Sequence, residues 1–465
     1  MGNIAYSIDA WYPVIRGGES PRVLFDVHEA RTPAKLEALW AGLPRGGRVV
    51  LRSSSPPGAR GDLQAVEAAL ESSGSVERFI EFPGPDGSSL LLPTIDAAAL
   101  RGGLALLPRG RARGRTIWTL LRAASPFLVA QRLGRPEVAV WTKGQEQRWE
   151  NDLPVLPVAG SIAVTIAHPD RSQKIIVHAL DRRGTARAVL KIGTSERTDD
   201  CVEREARALE LLEEVAPDRA PRLLAEGQRA GHSWLAQEVL AGRHGGELLG
   251  HAHAAFLAEF ASSTRGEQPL QENRFFQDAQ RHLIALDPLE DPDWHAEYTG
   301  LNAALKDAAE GHLLPTTLAH GDFTPWNLVR HRGDVRAFDW EHLAADAPAL
   351  HDLVHFHVQT GVLAKHQPGE KIYEELDRYF AGPANRVVRA AGLERADVLR
   401  LVALYILHEG TTAEVIDRAQ ELTTVDAGRL RHARRALCRR LTGLLTERSL
   451  PGWTRVDRDD LREAA

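Results

Sequence analysis

Short apolar runs alternate with amphipathic stretches in the first third of the chain. The runs at 22–27, 48–52 and 75–82 are bounded by glycine, proline or polar residues, which predicts strands. Stretches around 35–43 and 61–74 carry apolar residues at helical spacing and end at proline or glycine, which predicts helices. Because strands and helices alternate, we predict an α/β domain over residues 1–145.

A second pattern begins after residue 160. A segment rich in prolines and turn-forming residues at 135–160 is interpreted as a linker, and a meander of short strands with one helix follows up to about residue 240. From 246 to 450 the apolar spacing is helical, with one interruption at 318–341. We therefore predict a small sheet region over 146–243 and a mainly helical region over 244–465.

Length, composition and charge limit the classes of protein to which this chain can belong. The chain has 465 residues, of which 43% are hydrophobic, so it is long enough to build real cores. Its formal net charge is -6, which provides no basic field for a polyanion. Nucleic acid is therefore not expected as a partner.

The spacing of the cysteines and the length of the apolar stretches indicate the cellular compartment of the protein. Cys201 and Cys438 are far apart and form no metal-ligand or redox motif, as is usual in a reducing compartment. The first residues lack the basic and apolar regions of a secretory signal, and no stretch of about 18 apolar residues occurs. The expectation is a cytoplasmic protein without a transmembrane segment.

The interruption at 318–341 contains the candidate chemistry. Asp322 precedes Asn327 by five positions and Asp339 by seventeen, and His320 stands two positions before Asp322. Phosphoryl transfer requires an oriented acceptor hydroxyl and a Mg²⁺ ion held against the nucleotide phosphates. Two carboxylates and one amide supply those groups if they converge, and this is the spacing of a protein-kinase catalytic loop.

The segments HGDFTPWN at 320–327, FDWE at 338–341 and DLVHF at 352–356 resemble the aminoglycoside phosphotransferase and choline kinase family. The resemblance covers about residues 160–450. It implies an α+β, two-lobed protein-kinase-like fold, with a small antiparallel-sheet lobe and a mainly helical lobe. The N-terminal α/β domain would be appended to that fold.

The resemblance implies a role for each residue of the motif. Asp322 would accept or orient the acceptor hydroxyl, while His320 would brace the catalytic loop. Asn327 and Asp339 would ligate Mg²⁺, and Glu341 is a candidate for a water-mediated metal contact. The implied cofactors are ATP and Mg²⁺.

Lys191 and Glu205 are the matching candidates upstream. Lys191 is one of seven lysines among 57 basic residues and ends the third predicted strand, where the family places the lysine that pairs with the α- and β-phosphates. Glu205 lies fourteen positions later on the first predicted helix, where a glutamate should anchor that lysine. Glu203 competes with Glu205 for this role.

Two further contacts to the nucleotide are expected. The loop at 167–174 lacks the glycines of a phosphate-covering loop, so Ser172 or backbone amides there are candidates for the phosphate contact. The segment at 234–243 resembles the hinge between kinase lobes. The backbone near Gln237, Glu238 and Val239 would then recognise adenine.

Several other residues have plainer interpretations. His351 and His355 stand one helical turn apart with His357 nearby, but no third metal ligand is evident and a zinc site is not expected. Asp352 is expected to brace the catalytic loop by hydrogen bonds. Trp326 is interpreted as a packing residue rather than a substrate contact.

The acceptor is an open question at this stage. A sugar, polyol or glycan intermediate is favoured by analogy. The acidic segment at 287–298 would suit the cationic acceptor of an antibiotic kinase, although a solvated loop with Asp293 capping the following helix is the plainer explanation. A nucleotide-binding pseudokinase scaffold is the alternative of a different class. The choice of ATP or GTP and the oligomeric state are also open.

The N-terminal region has a second, weak resemblance. The helix, Gly-Gly turn, strand and helix from about residue 35 to 87 resemble the later half of an S-adenosylmethionine-dependent methyltransferase. The glycine-rich turn that would hold the cofactor does not occur upstream. We therefore predict a degenerate domain used for docking, acceptor placement or homo-oligomer formation.

Overall fold

The computed structural model describes thirteen stretches of the chain. These are residues 22–26, 38, 40–44, 48–52, 74–83, 89–94, 97–106, 135–144, 160–166, 174–229, 231–286, 292–420 and 425–452. The chain divides into two compact units. The first comprises Met1–Glu210 with Arg222–Val239, and the second comprises Leu211–Pro221 with Leu240–Ala465.

The first unit is built on a ten-stranded sheet. Its strands are β1 (Arg22–Asp26), β2 (Arg48–Arg52), β3 (Gly74–Pro83), β4 (Ser89–Pro93), β5 (Arg135–Lys143), β6 (Ser161–Ile166), β7 (Ile175–Leu180), β8 (Ala186–Ile192), β9 (Leu223–Arg229) and β10 (His232–Glu238). Their order across the sheet is β1-β2-β5-β3-β4-β6-β7-β8-β10-β9. The pair β1–β2 is parallel, and the other described pairs are antiparallel.

The segment interpreted as a linker contains a strand. β5 pairs with β2 on one side and with β3 on the other, and these partners are distant in sequence. The interpretation was wrong for residues 135–143 because local turn formers say nothing about such partners. Since β4 pairs with β6, strands from both sides of the predicted boundary near residue 145 share one sheet. The boundary itself stays a prediction, as does a contact role for residues 1–145.

Both faces of the sheet are covered, and the alternation of side chains explains how. Leu91 belongs to one buried cluster, whereas its neighbours Leu90 and Leu92 belong to another. This is the two-residue period of a strand whose two faces are both apolar. The second cluster also contains Leu100 of helix α1 (Ala97–Leu104), which lies over that face.

The second unit is mainly helical. Its helices, together with α2, which begins in the first unit, are α2 (Glu196–Val215), α3 (His251–Ser263), α4 (Arg274–Ala285), α5 (Pro292–Ala308), α6 (His351–Gln359), α7 (Gly369–Ala381), α8 (Asn385–Ala390), α9 (Arg395–Gln420) and α10 (Val425–Thr446). A mainly antiparallel sheet unit and a mainly helical unit confirm the predicted α+β class. Among the described residues, none of the helices is both long and apolar enough to cross a membrane.

Two small sheets interrupt the helices where the sequence pattern changes. One contains β11 (Arg243–His244), β14 (Leu328–His331) and β15 (Asp334–Ala337). The other contains β12 (Gly266–Pro269), β13 (Leu313–Ala319) and β16 (Ala344–Pro348). Because β13 ends at Ala319, the segment that begins at His320 emerges directly from a buried strand.

Candidate active site

The loop after β13 has a backbone conformation that requires glycine. Gly321 has φ +85°, and a Cβ atom there would collide with the backbone carbonyl oxygen of His342. An L-residue would be strained by the dihedral angle and blocked by the contact. This explains why Gly321 stands between His320 and Asp322, where protein kinases carry arginine.

Asp352 holds this loop from the first turn of α6. Its carboxylate accepts the backbone N–H of His320 at 2.6 Å and that of Gly321 at 3.0 Å. Burial alone raises the pKa of Asp352, but its contacts with His351 and His320 hold the pKa below the usual range. The side chain therefore remains an anion, and its position agrees with the bracing role expected from the sequence.

His320 is buried and held in one tautomer. Its Nε2 lies 2.9 Å from the carbonyl oxygen of Phe338, so Nε2 must carry the proton that is donated. Its Nδ1 then accepts the backbone N–H of Asp322 at 3.2 Å. The ring also packs against Trp340 at a centroid distance of 4.5 Å. His320 thus connects the loop to the segment that leads to Asp339.

Both carboxylate oxygens of Asp322 are held by hydrogen bonds. His355 Nε2 lies 3.0 Å from Oδ1, and the Asn327 amide donates to Oδ2 at 2.8 Å. Burial favours the neutral acid, but the bond to His355 and the neighbouring imidazoles hold the pKa of Asp322 below its usual range. With 34% of its side chain exposed, Asp322 is an ionised, oriented and accessible carboxylate.

A tight hairpin brings Asn327 and Asp339 to the same end of two strands. β14 and β15 are joined through Arg332 and Gly333, whose φ angles of 51° and 97° are both positive, as in the type I′ turn. At the open end, the N–H of Phe338 bonds to the carbonyl of Asn327 at 3.0 Å. Asp339 follows directly, in the left-handed region with φ 71°.

The oxygen atoms at this end of the hairpin fit a magnesium ion. The Asn327 amide nitrogen donates to the backbone oxygen of Asp322 as well as to its carboxylate, which directs the amide oxygen away from Asp322. One carboxylate oxygen of Asp339 lies within 4.8 Å of one of Glu341. Amide and carboxylate oxygens are the ligands that Mg²⁺ prefers.

Lys191 and Glu205 form a buried ion pair within the first unit. Lys191 Nζ lies 2.5 and 2.7 Å from the two carboxylate oxygens of Glu205, and both residues are buried. Glu203, the competing candidate, instead accepts a hydrogen bond from the Ser233 hydroxyl at 2.7 Å. The structure thus selects Glu205 as the partner of Lys191.

The expected base-binding segment lies at the end of β10. Gln237 and Glu238 pair with β8, and the N–H of Glu238 is donated to the carbonyl of Arg222 at 3.0 Å. That N–H is therefore committed within the sheet, which leaves the peptide groups around Val239 as the candidates. Ser172 lies outside the described residues.

Trp326 is partly exposed. Its exposed fraction is 42%, although it stands between the buried residues Pro325 and Asn327. The packing role expected from the sequence stays a prediction, and part of the residue is accessible to a ligand.

The acidic segment at 287–298 is described from residue 292 onward. Asp293 lies inside the first turn of α5 rather than at its N-cap position, so the expected capping role was wrong in detail. Glu297 is engaged by two arginines, with Arg435 and Arg439 each at 2.9 Å. Burial raises the pKa of Glu297, but these arginines hold it below its usual range.

Sequence reasoning missed the residues that stand behind Asp322. His355 also contacts the Tyr405 hydroxyl through Nδ1 at 3.2 Å, and the guanidinium of Arg434 lies near Tyr405. These residues lie on α6, α9 and α10. The one available signal was the pair of histidines at helical spacing, for which only a zinc site was considered and not expected.

The histidines do meet further ligand-type residues. Donor atoms of His351, His408 and Glu409 lie within 4.8 Å of one another. Glu409 is also paired with the buried Arg434 at 3.1 Å, and a second cation beside that guanidinium would be repelled. Burial lowers the pKa of His351, but Asp352 and Glu409 raise it to about 9. We therefore assign this cluster to ion pairing.

Comparison with known proteins places part of this chain in a family. Residues 171–391 match the model of the phosphotransferase enzyme family. Among curated proteins, none matches the sequence.

Solved structures that match part of this chain include two aminoglycoside phosphotransferases and one choline/ethanolamine kinase family protein. The GDP complex of aminoglycoside 2'-phosphotransferase-IIIa is 14% identical, with 62% of this chain and 96% of that chain covered and a TM-score of 0.46. A thermostable mutant of aminoglycoside phosphotransferase APH(4)-Ia with ADP and hygromycin B is 15% identical, with 62% and 96% covered and a TM-score of 0.42. A choline/ethanolamine kinase family protein from Mesorhizobium loti is 16% identical, with 58% and 84% covered and a TM-score of 0.36.

The matched segment contains the catalytic-loop geometry described above. It begins before β7 and ends within the helical unit, and it includes the Lys191–Glu205 pair as well as Asp322, Asn327 and Asp339. The match to the phosphotransferase enzyme family therefore covers the segment in which these residues lie.

Proposed function

We propose that this protein is an ATP- and Mg²⁺-dependent small-molecule kinase that phosphorylates a hydroxyl group. The observation that carries the proposal is the Asp322 carboxylate, which is ionised, partly exposed and fixed through both oxygens by His355 and Asn327. An oriented anion of this kind suits a group that receives the proton of an attacking alcohol.

Each remaining site residue has a role in this proposal. Asn327 and Asp339 would hold Mg²⁺, which neutralises negative charge on the phosphates. Lys191, held by Glu205, would contact the α- and β-phosphates. The peptide groups around Val239 would contact the adenine base.

The proposed reaction is an in-line displacement. The acceptor oxygen forms a bond to the γ-phosphorus while the bond from that phosphorus to the bridging oxygen of ADP breaks. The proton of the acceptor hydroxyl passes to Asp322. ADP and the phosphate ester are the products.

We propose a sugar, polyol or glycan intermediate as the acceptor. The exposed indole of Trp326 beside Asn327 supports this class, since the apolar face of a sugar ring packs well on an aromatic side chain. Support for a cationic antibiotic is weaker, because Arg435 and Arg439 already neutralise Glu297. A Trp326→Ala variant is expected to raise KM for the acceptor while leaving KM for ATP unchanged.

A panel of hydroxyl compounds with ATP or GTP tests the proposal, with products read by mass spectrometry as the gain of one phosphoryl group. Wild type should phosphorylate at least one member, and Asp322→Ala should lower kcat by about 10²–10⁴-fold. Asp334→Asn is the matched control, because Asp334 is an exposed carboxylate on the same hairpin.

A pseudokinase scaffold predicts a different result in the same assays. Mg·ATP would bind tightly in a calorimeter, yet the whole acceptor panel would remain unmodified. Asp322→Ala would then leave every measured property unchanged.

A cytoplasmic location is part of our proposal and is supported by the two buried free cysteines, Cys201 and Cys438.

A further inference from the structure

A chain of polar contacts runs from the interior of the helical unit to Asp322. Arg434 on α10 lies near Tyr405 on α9, Tyr405 contacts His355 on α6, and His355 contacts Asp322. Exposure is 4% for Arg434, 0% for Tyr405 and 5% for His355. The chain is therefore largely shielded from water until it reaches the carboxylate.

The direction of each hydrogen bond follows from its partners. The ionised carboxylate of Asp322 can only accept, so Nε2 of His355 carries the proton and Nδ1 is the acceptor of the neutral ring. Burial raises the pKa of Tyr405, which keeps that hydroxyl protonated. His355 Nδ1 therefore accepts from Tyr405, and its Nε2–H donates to the carboxylate oxygen of Asp322. The donors of Tyr405 and His355 thus both point toward Asp322.

We propose that His355 is a positioning residue for Asp322, with Tyr405 fixing the tautomer of His355 that can donate to the carboxylate. This inference rests on the proposed kinase function. His355 holds Oδ1 while Asn327 holds Oδ2, so rotation of the carboxylate is blocked from two sides. A side chain held in this way keeps its geometry when the acceptor arrives.

The surroundings explain why the ring cannot turn away. The groups that face it are Asp322 from the loop, His351 from its own helix, Tyr405 and Glu409 from α9, and Arg434 from α10. His351 lies nearly parallel to His355 at a centroid distance of 5.9 Å. Since both ring nitrogens of His355 have partners, rotation of the ring would break two hydrogen bonds.

Kinetic measurements on two single variants of His355 and on one double variant test the proposal. His355→Ala should lower kcat by about 10–100-fold and change KM for ATP by less than about twofold, because orientation rather than nucleotide binding is lost. His355→Gln, whose amide nitrogen reaches the position of Nε2, should recover most of that loss. Adding His355→Ala to Asp322→Ala should cost nothing further, since the residue acts through Asp322. If His355→Ala lowers kcat by the same factor in wild type and in Asp322→Ala, the proposal is overturned.

Two further variants separate positioning from folding. His357→Gln is the control on the same helix, because His357 bonds to the carbonyl of Ile372 instead of Asp322, and its kcat should match wild type. Tyr405→Phe removes the O–H donor with little change of volume and should lower kcat less than His355→Ala. Melting temperatures close to that of wild type for Tyr405→Phe and His355→Gln would exclude unfolding as the cause.

The hydrogen bond can also be observed without any turnover. Nitrogen NMR of labelled histidine should show His355 protonated at Nε2 in wild type, and a changed tautomer population in Asp322→Ala and Tyr405→Phe. Protonation at Nδ1 alone in wild type would overturn the proposal. The two failures can be told apart. Absence of any phosphorylated acceptor in the product screen would contradict the proposed function, whereas the NMR spectrum tests the hydrogen bond between His355 and Asp322 independently of turnover.

Discussion

Asp352 accepts the backbone N–H groups of two consecutive residues, His320 and Gly321, so one buried carboxylate sets the direction of the loop that carries Asp322. Those peptide groups follow directly on strand β13, and 31 or 32 positions separate them from Asp352. The precision of the candidate site therefore depends on a residue that need not contact any substrate.

Replacing Asp352 should disrupt this loop. Asp352→Ala leaves two backbone N–H groups without an acceptor and is expected to cost about 3 kcal/mol of unfolding free energy. Asp352→Asn retains one oxygen and should cost less. Urea unfolding checks the stabilities, and phosphoryl-transfer assays should show activity falling in the same order. Equal stability of Asp352→Ala and wild type would contradict the role of this carboxylate.

Glycine at position 321 should be essential, and position 333 provides a matched comparison. Gly321→Ala meets both a positive φ and the carbonyl oxygen of His342, whereas Gly333→Ala meets only a positive φ, with open space around the new methyl group. The second change should cost about 1–2 kcal/mol through strain alone. Gly321→Ala should cost more and abolish activity, while Gly333→Ala should remain active. Thermal unfolding and kcat of both variants provide the comparison.

The Lys191–Glu205 pair separates stability from nucleotide binding. Lys191→Met leaves the Glu205 carboxylate buried and unpaired, which should cost about 3–5 kcal/mol. Adding Glu205→Leu removes that unpaired charge and should restore most of the stability. Affinity for Mg·ATP should be lost in both variants, because neither retains the cation. Denaturation curves measure the stabilities, and calorimetric titrations measure the affinity for Mg·ATP. Wild-type affinity for ATP in the double variant would contradict the prediction.

His351 predicts a dependence of stability on alkaline pH. Asp352 and Glu409 raise its pKa from the ordinary 6.5 to about 9 in the folded protein, against the opposing effect of burial. A raised pKa contributes stability that is fully present below pH 6.5 and is lost as pH rises through about 9. The melting temperature of wild type should therefore fall across this interval. A His351→Gln variant should show a flatter curve, and parallel curves would contradict the prediction.

Local sequence patterns were sufficient for the elements that depend on short-range signals. The turn at 330–334, the strand before it and the spacing of Asp322, Asn327 and Asp339 follow from neighbouring residues, and the structure has them as predicted. Lys191 and Glu205 could be paired because a strand and the helix after it are close in sequence.

Contacts between distant segments could not be read in this way. Strand β5 was interpreted as a linker because its partners β2 and β3 are supplied from far along the chain. The same limit hid the path from Tyr405 through His355 to Asp322, which joins two helices and a loop. Exposure of Trp326 also depends on how a single turn is placed, and no periodic pattern encodes that.

The pairing of β4 with β6 affects how a shortened protein that contains only the segment matched by the family model would behave. Four of the six residues of Ser161–Ile166 are apolar, and along part of its length β4 shields the strand from other chains. A shortened protein beginning near residue 160 would present this strand as an open edge, which is a template for intermolecular pairing. Such a fragment should precipitate at concentrations where the full-length chain remains in solution.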